Sequence, residues 1–137
     1  METDNGMEIE RKWLVSGWPE SVGVHLNLVK EEKMRQGYVS VEPTVRIREE
    51  ISAQNTEEAI YLLTFKSSGL LSRKEIEFPV EHRYFTELED LISHPLVPKM
   101  RRTYALPDGL LLEVNHVDEE AETAFWYAEV EFRTEEE

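Results

Sequence analysis

The sequence contains no cysteine, which excludes disulfide bonds, thiolate zinc sites and cysteine nucleophiles. No apolar run is long enough to span a bilayer, and the opening METDNG lacks the basic and apolar regions of a signal peptide. We therefore expect a cytoplasmic protein with no membrane partner. At 137 residues the chain is long enough for one domain with its own core, and no internal repeat is visible.

Positive charge is also scarce, with 15 lysines and arginines against 29 acidic residues and a net charge of −14. Such a chain repels nucleic-acid backbones over most of its surface, so we expect no nucleic-acid partner. An anionic ligand must instead be bound by a local concentration of the few cations. The four histidines have no spacing that is typical of metal ligands.

Alternation of apolar and polar residues recurs along most of the chain and predicts β-strands. The predicted strands are residues 8–15, 22–29, 34–41, 44–50, 59–67, 73–80, 99–106, 110–117 and 126–133. Turn residues separate these segments, and Pro107-Asp108-Gly109 predicts a hairpin. The polar residues 52–58 are typical of a loop between two strands.

One helix is predicted over residues 83–93, before Pro95. Its apolar residues recur at helical spacing: Phe85, Leu88, Leu91 and Ile92. Eight or nine strands and one helix indicate a mainly β, antiparallel domain that closes into a barrel or a sandwich. If the strands close into a barrel with apolar faces outward, we expect these four residues to cover part of its outer surface.

Charged residues occupy one face of most predicted strands, and their sign differs from strand to strand. The basic positions are Arg46, Arg48, Lys66, Lys99 and Arg101. The acidic positions are Glu75, Glu77, Glu113, Glu129 and Glu131. A charged face is ordinary where one side of an antiparallel sheet meets water. If a barrel closes with these faces inward, however, carboxylates and cations share one lumen.

A lumen of that kind has a chemical interpretation. Buried unpaired charge costs several kcal/mol per group, so the lumen fits a wet tunnel that holds charged ligands. Its cations would bind a polyanion, and its carboxylates would bind a divalent metal. Oxygen ligands without cysteine or suitably spaced histidine favour Mg²⁺ or Mn²⁺.

The segment MEIERKWLV, residues 7–15, places Glu8, Glu10 and Lys12 on one face of the first strand. These residues resemble the ExExK motif that opens the CYTH superfamily, the triphosphate tunnel metalloenzymes. Other family-like segments follow in order: RQGY at 35–38, VRIRE at 45–49, LTFKS at 63–67, SRKEIEF at 72–78, KMRRTY at 99–104, LLEV at 111–114 and AEVEF at 128–132. The chain is most similar to the short bacterial members, which are inorganic triphosphatases.

The resemblance implies one CYTH domain over residues 1–137, with a flexible segment at 1–6 and an acidic tail at 134–137. It also implies an eight-stranded antiparallel barrel, closed around a charged triphosphate tunnel and covered by one or more helices. Family members usually continue into a segment that closes one end of the tunnel. No such segment follows the last glutamate strand here, so we expect either that this sequence is a truncated piece of a longer chain or that the tunnel mouth is more open.

The resemblance further implies a role for each site residue. The metal ligands are Glu8, Glu10, Glu129 and Glu131, with Glu113 in support. The substrate-binding residues are Arg46, Arg48, Lys66, Lys99 and Arg101, with Tyr38 near the tunnel lysines. Glu75 and Glu77 form a second metal site or hold the cations in place. Lys12, together with Glu10, has the catalytic role, orienting the attacking water or stabilising charge at the terminal phosphorus.

The activity implied is Mg²⁺- or Mn²⁺-dependent hydrolysis of tripolyphosphate to pyrophosphate and phosphate. The same tunnel serves thiamine triphosphatase and class IV adenylyl cyclase in relatives, and both stay open as alternatives. A cyclase must hold a nucleoside, and the sequence contains no clear base pocket. A non-catalytic polyphosphate-binding module is a further alternative, although anion binding alone would not require the carboxylates.

Overall fold

The computed structural model of the chain describes residues 7–55, 58–68 and 72–132, with side chains from Ile9 onward. Eight strands are formed: β1 (Met7–Val15), β2 (Asn27–Ser40), β3 (Thr44–Ser52), β4 (Ala59–Lys66), β5 (Ser72–Pro79), β6 (Val97–Ala105), β7 (Leu111–Val117) and β8 (Phe125–Glu131). One α-helix, α1 (His82–Leu91), lies between β5 and β6, and a short 3₁₀ helix spans Pro19–Val22. The two tails predicted at 1–6 and 134–137 lie outside the described residues.

The strands form a closed antiparallel barrel in the order β1-β5-β4-β3-β2-β6-β7-β8, and β8 pairs with β1 to complete the ring. The predicted fold, a β-dominated eight-stranded barrel with one helix, is confirmed. Side chains alternate between the two sides of each strand, and the charged faces that were predicted from the sequence line the lumen. None of the described helices is long and apolar enough to cross a membrane.

The predicted strand at 22–29 is wrong. Pro19 starts a 3₁₀ helix whose last residue is Val22, and Gly23 ends it with a left-handed φ of 83°. A left-handed residue turns the chain out of an extended path, so a strand cannot run through Gly23. The following strand begins at Asn27 and continues without a break to Ser40, which joins two segments that the alternation had separated.

Helix α1 covers one side of the barrel, as its spacing predicted. Phe85 is fully buried against Ile47 of β3 and Leu96, which follows the helix, while Leu88 and Ile92 pack around this cluster. Leu91 does not belong to the contact, because 71% of its surface is exposed. An ion pair also joins the helix to the barrel: Arg35 of β2 lies 3.8 Å from Glu89 of α1 and 2.7 Å from Glu49 of β3.

A second apolar cluster lies on β6, β7 and β8, away from the helix. Tyr104, Val114 and Ala128 are buried there beneath the segment between β1 and β2. Trp18 of that segment meets Trp126 edge to face, with ring centroids 4.8 Å apart. The apolar core is therefore divided into two outer clusters, and the centre of the barrel is polar.

Gly37 of β2 has no room for a side chain. A Cβ atom there would lie 2.7 Å from Leu96 Cδ2 and 3.1 Å from Ile92 Cδ1. We expect Gly37→Ala to lower the free energy of unfolding by about 1–3 kcal/mol, the usual cost of overpacking, measured by urea denaturation. The same substitution in a Leu96→Ala background should cost less, because the shortened side chain leaves space. A neutral or stabilising Gly37→Ala would contradict the close packing.

Candidate functional site

The lumen is a polar cavity of about 260 Å³. The structure brings thirteen of the fourteen predicted site residues to its wall: Glu10, Lys12, Tyr38, Arg46, Arg48, Lys66, Glu75, Glu77, Lys99, Arg101, Glu113, Glu129 and Glu131. The backbone of Glu8 in β1 pairs with that of Arg73 in β5, but the Glu8 side chain lies outside the described part of the chain. Residues that are far apart in sequence therefore share one charged cavity.

The cations of the lumen are buried although they carry charge. Arg48 is 7% exposed, Lys66 8%, Lys99 4% and Arg101 8%. Each lies on a different strand or level of the wall, so their charges point toward a common space rather than toward solvent. Buried charges of one sign are stabilised only by opposite charge nearby, and here the carboxylates of neighbouring strands supply it.

On one side of the lumen, carboxylates hold the arginines and lysines of β3 and β4. Arg48 Nε lies 2.8 Å from Glu50, and Arg46 Nη2 lies 3.6 Å from Glu77. Glu77 also accepts a hydrogen bond from Thr64, at 2.7 Å. The Lys66 ammonium lies 3.6 Å from Glu75. Glu75 and Glu77 thus contact the cations of β3 and β4.

Arg101 is the most heavily bonded cation of the lumen. Its Nη2 donates to Glu129 at 2.9 Å, its Nε to Asn115 Oδ1 at 2.8 Å, and its Nη1 to Glu113 at 3.4 Å. Burial acts to raise the pKa of Glu129, but the positive charges of Arg101, Lys12 and Lys99 outweigh it. The pKa of Glu129 is thereby lowered to about 2.

Carboxylates from three adjacent strands meet on the opposite side of the lumen. Glu10 of β1 stands opposite Glu131 of β8, and Glu129 of β8 stands opposite Glu113 of β7. Within residues 7–55, 58–68 and 72–132, no three carboxylate or histidine side chains converge closely enough to hold a metal ion. The donor set is nevertheless all oxygen, since Glu10, Glu113, Glu129 and Glu131 all line this lumen. This chemistry fits Mg²⁺ or Mn²⁺.

Two lysines flank an aromatic ring near one end of the lumen. Lys99 Nζ donates to the Tyr127 hydroxyl at 3.1 Å, and Lys12 Nζ lies 5.8 Å from the centre of the same ring. Burial, together with the positive charges of Arg101 and Arg48, lowers the pKa of Lys99 well below its usual value. Lys12 is half-exposed and lies 3.4 Å from Glu10. A polyanion would therefore meet two lysines of different burial at this point.

Sequence reasoning missed five polar residues that line the lumen, Lys30, Glu32, Gln36, Glu50 and Tyr127, and two apolar ones, Leu62 and Leu111. Lys30 and Glu32 fell between two predicted strands, because the sequence KEEK has charges on both faces and no apolar alternation. For Glu50 and Tyr127 a signal existed, since alternation places them with Arg48 and Glu129. The pKa of Glu32 is raised by burial and by the neighbouring Glu50.

A second, largely apolar cavity of about 920 Å³ lies beside this end of the lumen. Lys12, Tyr38, Lys99 and Tyr127 line both cavities. Trp13 and Phe125 are among the apolar residues of the outer cavity, and each is 46% exposed.

Comparison with known proteins gives the same fold and a related sequence. No protein-family model matches the chain. The inorganic triphosphatase of Nitrosomonas europaea is 38% identical over 108 residues, which make up 79% of this chain. The chain spans 65% of the length of that curated relative.

Solved structures share the barrel. The crystal structure of the inorganic triphosphatase NE1496 has 29% sequence identity and a TM-score of 0.55, over 94% of this chain and 75% of that chain. The structure of protein PH1819 from Pyrococcus horikoshii OT3 has a TM-score of 0.70 over 91% of this chain and 77% of that chain. At 19% identity the second likeness concerns the fold alone. The resemblance identified from the sequence motifs is confirmed.

Proposed function

This chain is a homologue of an inorganic triphosphatase and has its CYTH-like tunnel fold, and we propose that it is a metal-dependent hydrolase of triphosphates. The proposed reaction cleaves tripolyphosphate to pyrophosphate and phosphate. Water attacks the terminal phosphorus, and the bond that breaks joins that phosphorus to the bridging oxygen. Pyrophosphate leaves with the bridging oxygen, and the water oxygen stays on the released phosphate.

The observation that carries the proposal is the burial of the cations in the lumen. Arg48, Lys66 and Lys99 are all less than 9% exposed, and they line one cavity in a protein whose net charge is −14. Carboxylates of neighbouring strands balance these charges in the ligand-free lumen, and a ligand of opposite charge in the space between the cations would stabilise them further. A short chain of phosphates, with charge along its whole length, is such a ligand.

We propose that the five cations bind and orient the phosphate chain. The substrate-binding residues are Arg46, Arg48, Lys66, Lys99 and Arg101. An arginine donates two parallel hydrogen bonds to phosphate oxygens, which fixes the orientation of the chain. Tyr38 lines the same mouth as Lys12 and Lys99 and would contact the end of the chain.

We assign the metal to Glu8, Glu10, Glu129 and Glu131, with Glu113 in support. Bound Mg²⁺ or Mn²⁺ would supply charge neutralisation between these carboxylates and the phosphate oxygens. Glu75 and Glu77 are assigned to holding the cations, since their described contacts are with Lys66 and Arg46.

Lys12 has the proposed catalytic role. Its ammonium lies on the carboxylate side of the lumen, 3.4 Å from Glu10, and is half-exposed at the mouth. From this position it can stabilise negative charge on the terminal phosphoryl group, while Glu10 holds the ammonium in place. Phosphoryl transfer depends mainly on positioning and charge stabilisation, so no protein nucleophile is required.

Phosphate release from tripolyphosphate, ATP and thiamine triphosphate tests the proposal. We expect the fastest release from tripolyphosphate with Mg²⁺ or Mn²⁺, and its complete loss in EDTA, because the lumen recognises phosphates and needs the metal charge. Turnover that persists in EDTA would exclude a requirement for a divalent metal in hydrolysis. Cyclic AMP from ATP would favour a cyclase, preference for thiamine triphosphate would favour that triphosphatase, and binding without turnover would favour a binding module.

A further inference from the structure

Arg101 is assigned to phosphate binding, but in the structure its guanidinium contacts other residues. As a phosphate-binding residue it must direct its guanidinium toward the ligand. In the structure, however, Nη2 and Nη1 are directed toward Glu129 and Glu113, which are assigned to the metal, and Nε is directed toward Asn115. Nε carries a single hydrogen, so while Nε and Nη2 are directed toward Asn115 and Glu129, the pair of parallel donors on that edge of the guanidinium is not free for phosphate.

The other buried arginine of the lumen lacks this conflict. Arg48 is as buried as Arg101, at 7% against 8% exposed, and its shortest ion pair is with Glu50, at 2.8 Å. Glu50 has no assigned role toward the metal. The two arginines therefore differ in the carboxylates that they contact, while their burial and charge are the same.

We propose that Arg101 takes the place of the divalent cation in the ligand-free tunnel and is released to phosphate when the cation binds. Metal and polyphosphate loading are then coupled through this one side chain. The inference rests on the proposed function only in taking a divalent cation and a polyphosphate as the two ligands of the lumen.

The physical basis is charge balance at Glu113 and Glu129. Without a cation these carboxylates are stabilised by Arg101, since unpaired buried charge is costly. A divalent cation in contact with the same oxygens repels the guanidinium and removes its acceptors. Lys99 and Arg48 also repel Arg101, while Glu32 attracts it from the neighbouring strand, where the two residues are directly opposite. The released side chain stays in the lumen, where phosphate oxygens compete with the carboxylate of Glu32 for its donors.

Removing Arg101 should therefore strengthen the binding of Mg²⁺ and weaken the binding of polyphosphate. In Arg101→Met the carboxylates have lost their competing partner, so Mg²⁺ should bind about tenfold more tightly without phosphate, a difference of about 1.4 kcal/mol. Isothermal titration of Mg²⁺ into the metal-free protein measures this. The matched control is Arg48→Met, which removes an equally buried charge from the same lumen and should change the Mg²⁺ affinity much less.

Two further measurements keep the proposal testable if Arg101→Met is poorly folded. Mg²⁺ should raise the melting temperature of Arg101→Met more than that of the wild type, because it replaces the missing positive charge. In wild-type protein, NMR of the arginine Nε–H groups should show the Arg101 signal move on addition of Mg²⁺ alone, while the Arg48 signal changes little.

The opposite results would refute the replacement of Arg101 by a divalent cation at Glu113 and Glu129. Weaker Mg²⁺ binding by Arg101→Met would mean that Arg101 positions the carboxylates for the metal, and equal effects of Arg101→Met and Arg48→Met would reduce its role to general charge. These titrations contain no substrate. Failure to hydrolyse any triphosphate would therefore refute the proposed function without affecting this result.

Discussion

Glu10→Gln is expected to reduce metal-dependent hydrolysis of tripolyphosphate by about a thousandfold while leaving the fold intact. The lost charge stabilisation by a metal amounts to several kcal/mol, and each 1.4 kcal/mol is a factor of ten in rate. Glu10 also holds Lys12, at 3.4 Å, so the substitution affects both proposed catalytic groups. Phosphate release at limiting Mg²⁺ is the measurement, with circular dichroism as the test of folding.

The fold should survive because Glu10 lies among other carboxylates. It stands opposite Glu131, so removing its charge relieves like-charge repulsion there, and the glutamine amide keeps the size of the side chain and an oxygen for Lys12. Glu20→Gln is a matched control: it makes the same change on the outer surface, where Glu20 pairs with Arg102 at 3.3 Å, and should leave turnover unchanged. Near wild-type activity of Glu10→Gln would remove Glu10 from the site.

Lys99→Met should make the ligand-free protein more stable and at the same time nearly abolish its stabilisation by tripolyphosphate. Lys99 is 4% exposed and is repelled by Arg101 and Arg48, so replacing its ammonium by an apolar group of similar length removes a desolvation penalty and a repulsion. In the wild type, tripolyphosphate at a hundredfold excess over its dissociation constant should add about 2.7 kcal/mol. Urea denaturation with and without tripolyphosphate, without metal, measures both effects.

The pH dependence of stability provides a separate test of Lys99. Its pKa is well below 10.5 in the folded protein and ordinary in the unfolded chain, so the unfolded chain binds more protons between these two values. Stability contributed by Lys99 therefore rises with pH through this window, and Lys99→Met should lack the rise. Below the folded pKa the lysine is charged in both states and its contribution is independent of pH.

Ligand binding should couple to protons for the same reason. A polyanion beside Lys99 favours the charged ammonium, so tripolyphosphate binding should take up protons at a pH above the folded pKa of Lys99. Calorimetry in buffers of different ionisation enthalpy measures this uptake. Lys33→Met, on the exposed side of β2, serves as the control and should keep it. Lys99→Met with unchanged stability and unchanged ligand stabilisation would contradict the role of Lys99.

Much of the barrel was predictable because alternation is a local signal. Most strand positions followed from it, and so did the hairpin at Pro107-Asp108-Gly109, where Gly109 has a φ of 88°. The first half of β2 was not predictable, since its charged residues face both the lumen and the outside. The exposure of Leu91 was not predictable either. Helical spacing shows which apolar residues share a face of the helix, but it does not show how far the neighbouring strand extends beneath that face.

The identity of the lumen residues was predictable, but their partners were not. Alternation places Arg101 and Glu129 on polar faces, yet only the ring order, in which β7 lies between β6 and β8, brings them within 2.9 Å. Strand order in a closed barrel depends on long-range pairing, which one sequence does not reveal. For the same reason, the competition between Arg101 and a metal was not visible in the motifs.

The division of the apolar core into two outer clusters has a thermodynamic consequence. Ile47 and Phe85 belong to one cluster, Tyr104 and Val114 to the other, and a charged lumen lies inside the wall that carries them. Substitutions at sites that share no partners usually have additive free energies. Changes in the two clusters should therefore combine without interaction energy, so each side of the wall can vary in sequence independently of the other. Residues of the lumen contact one another across strands and lack this freedom.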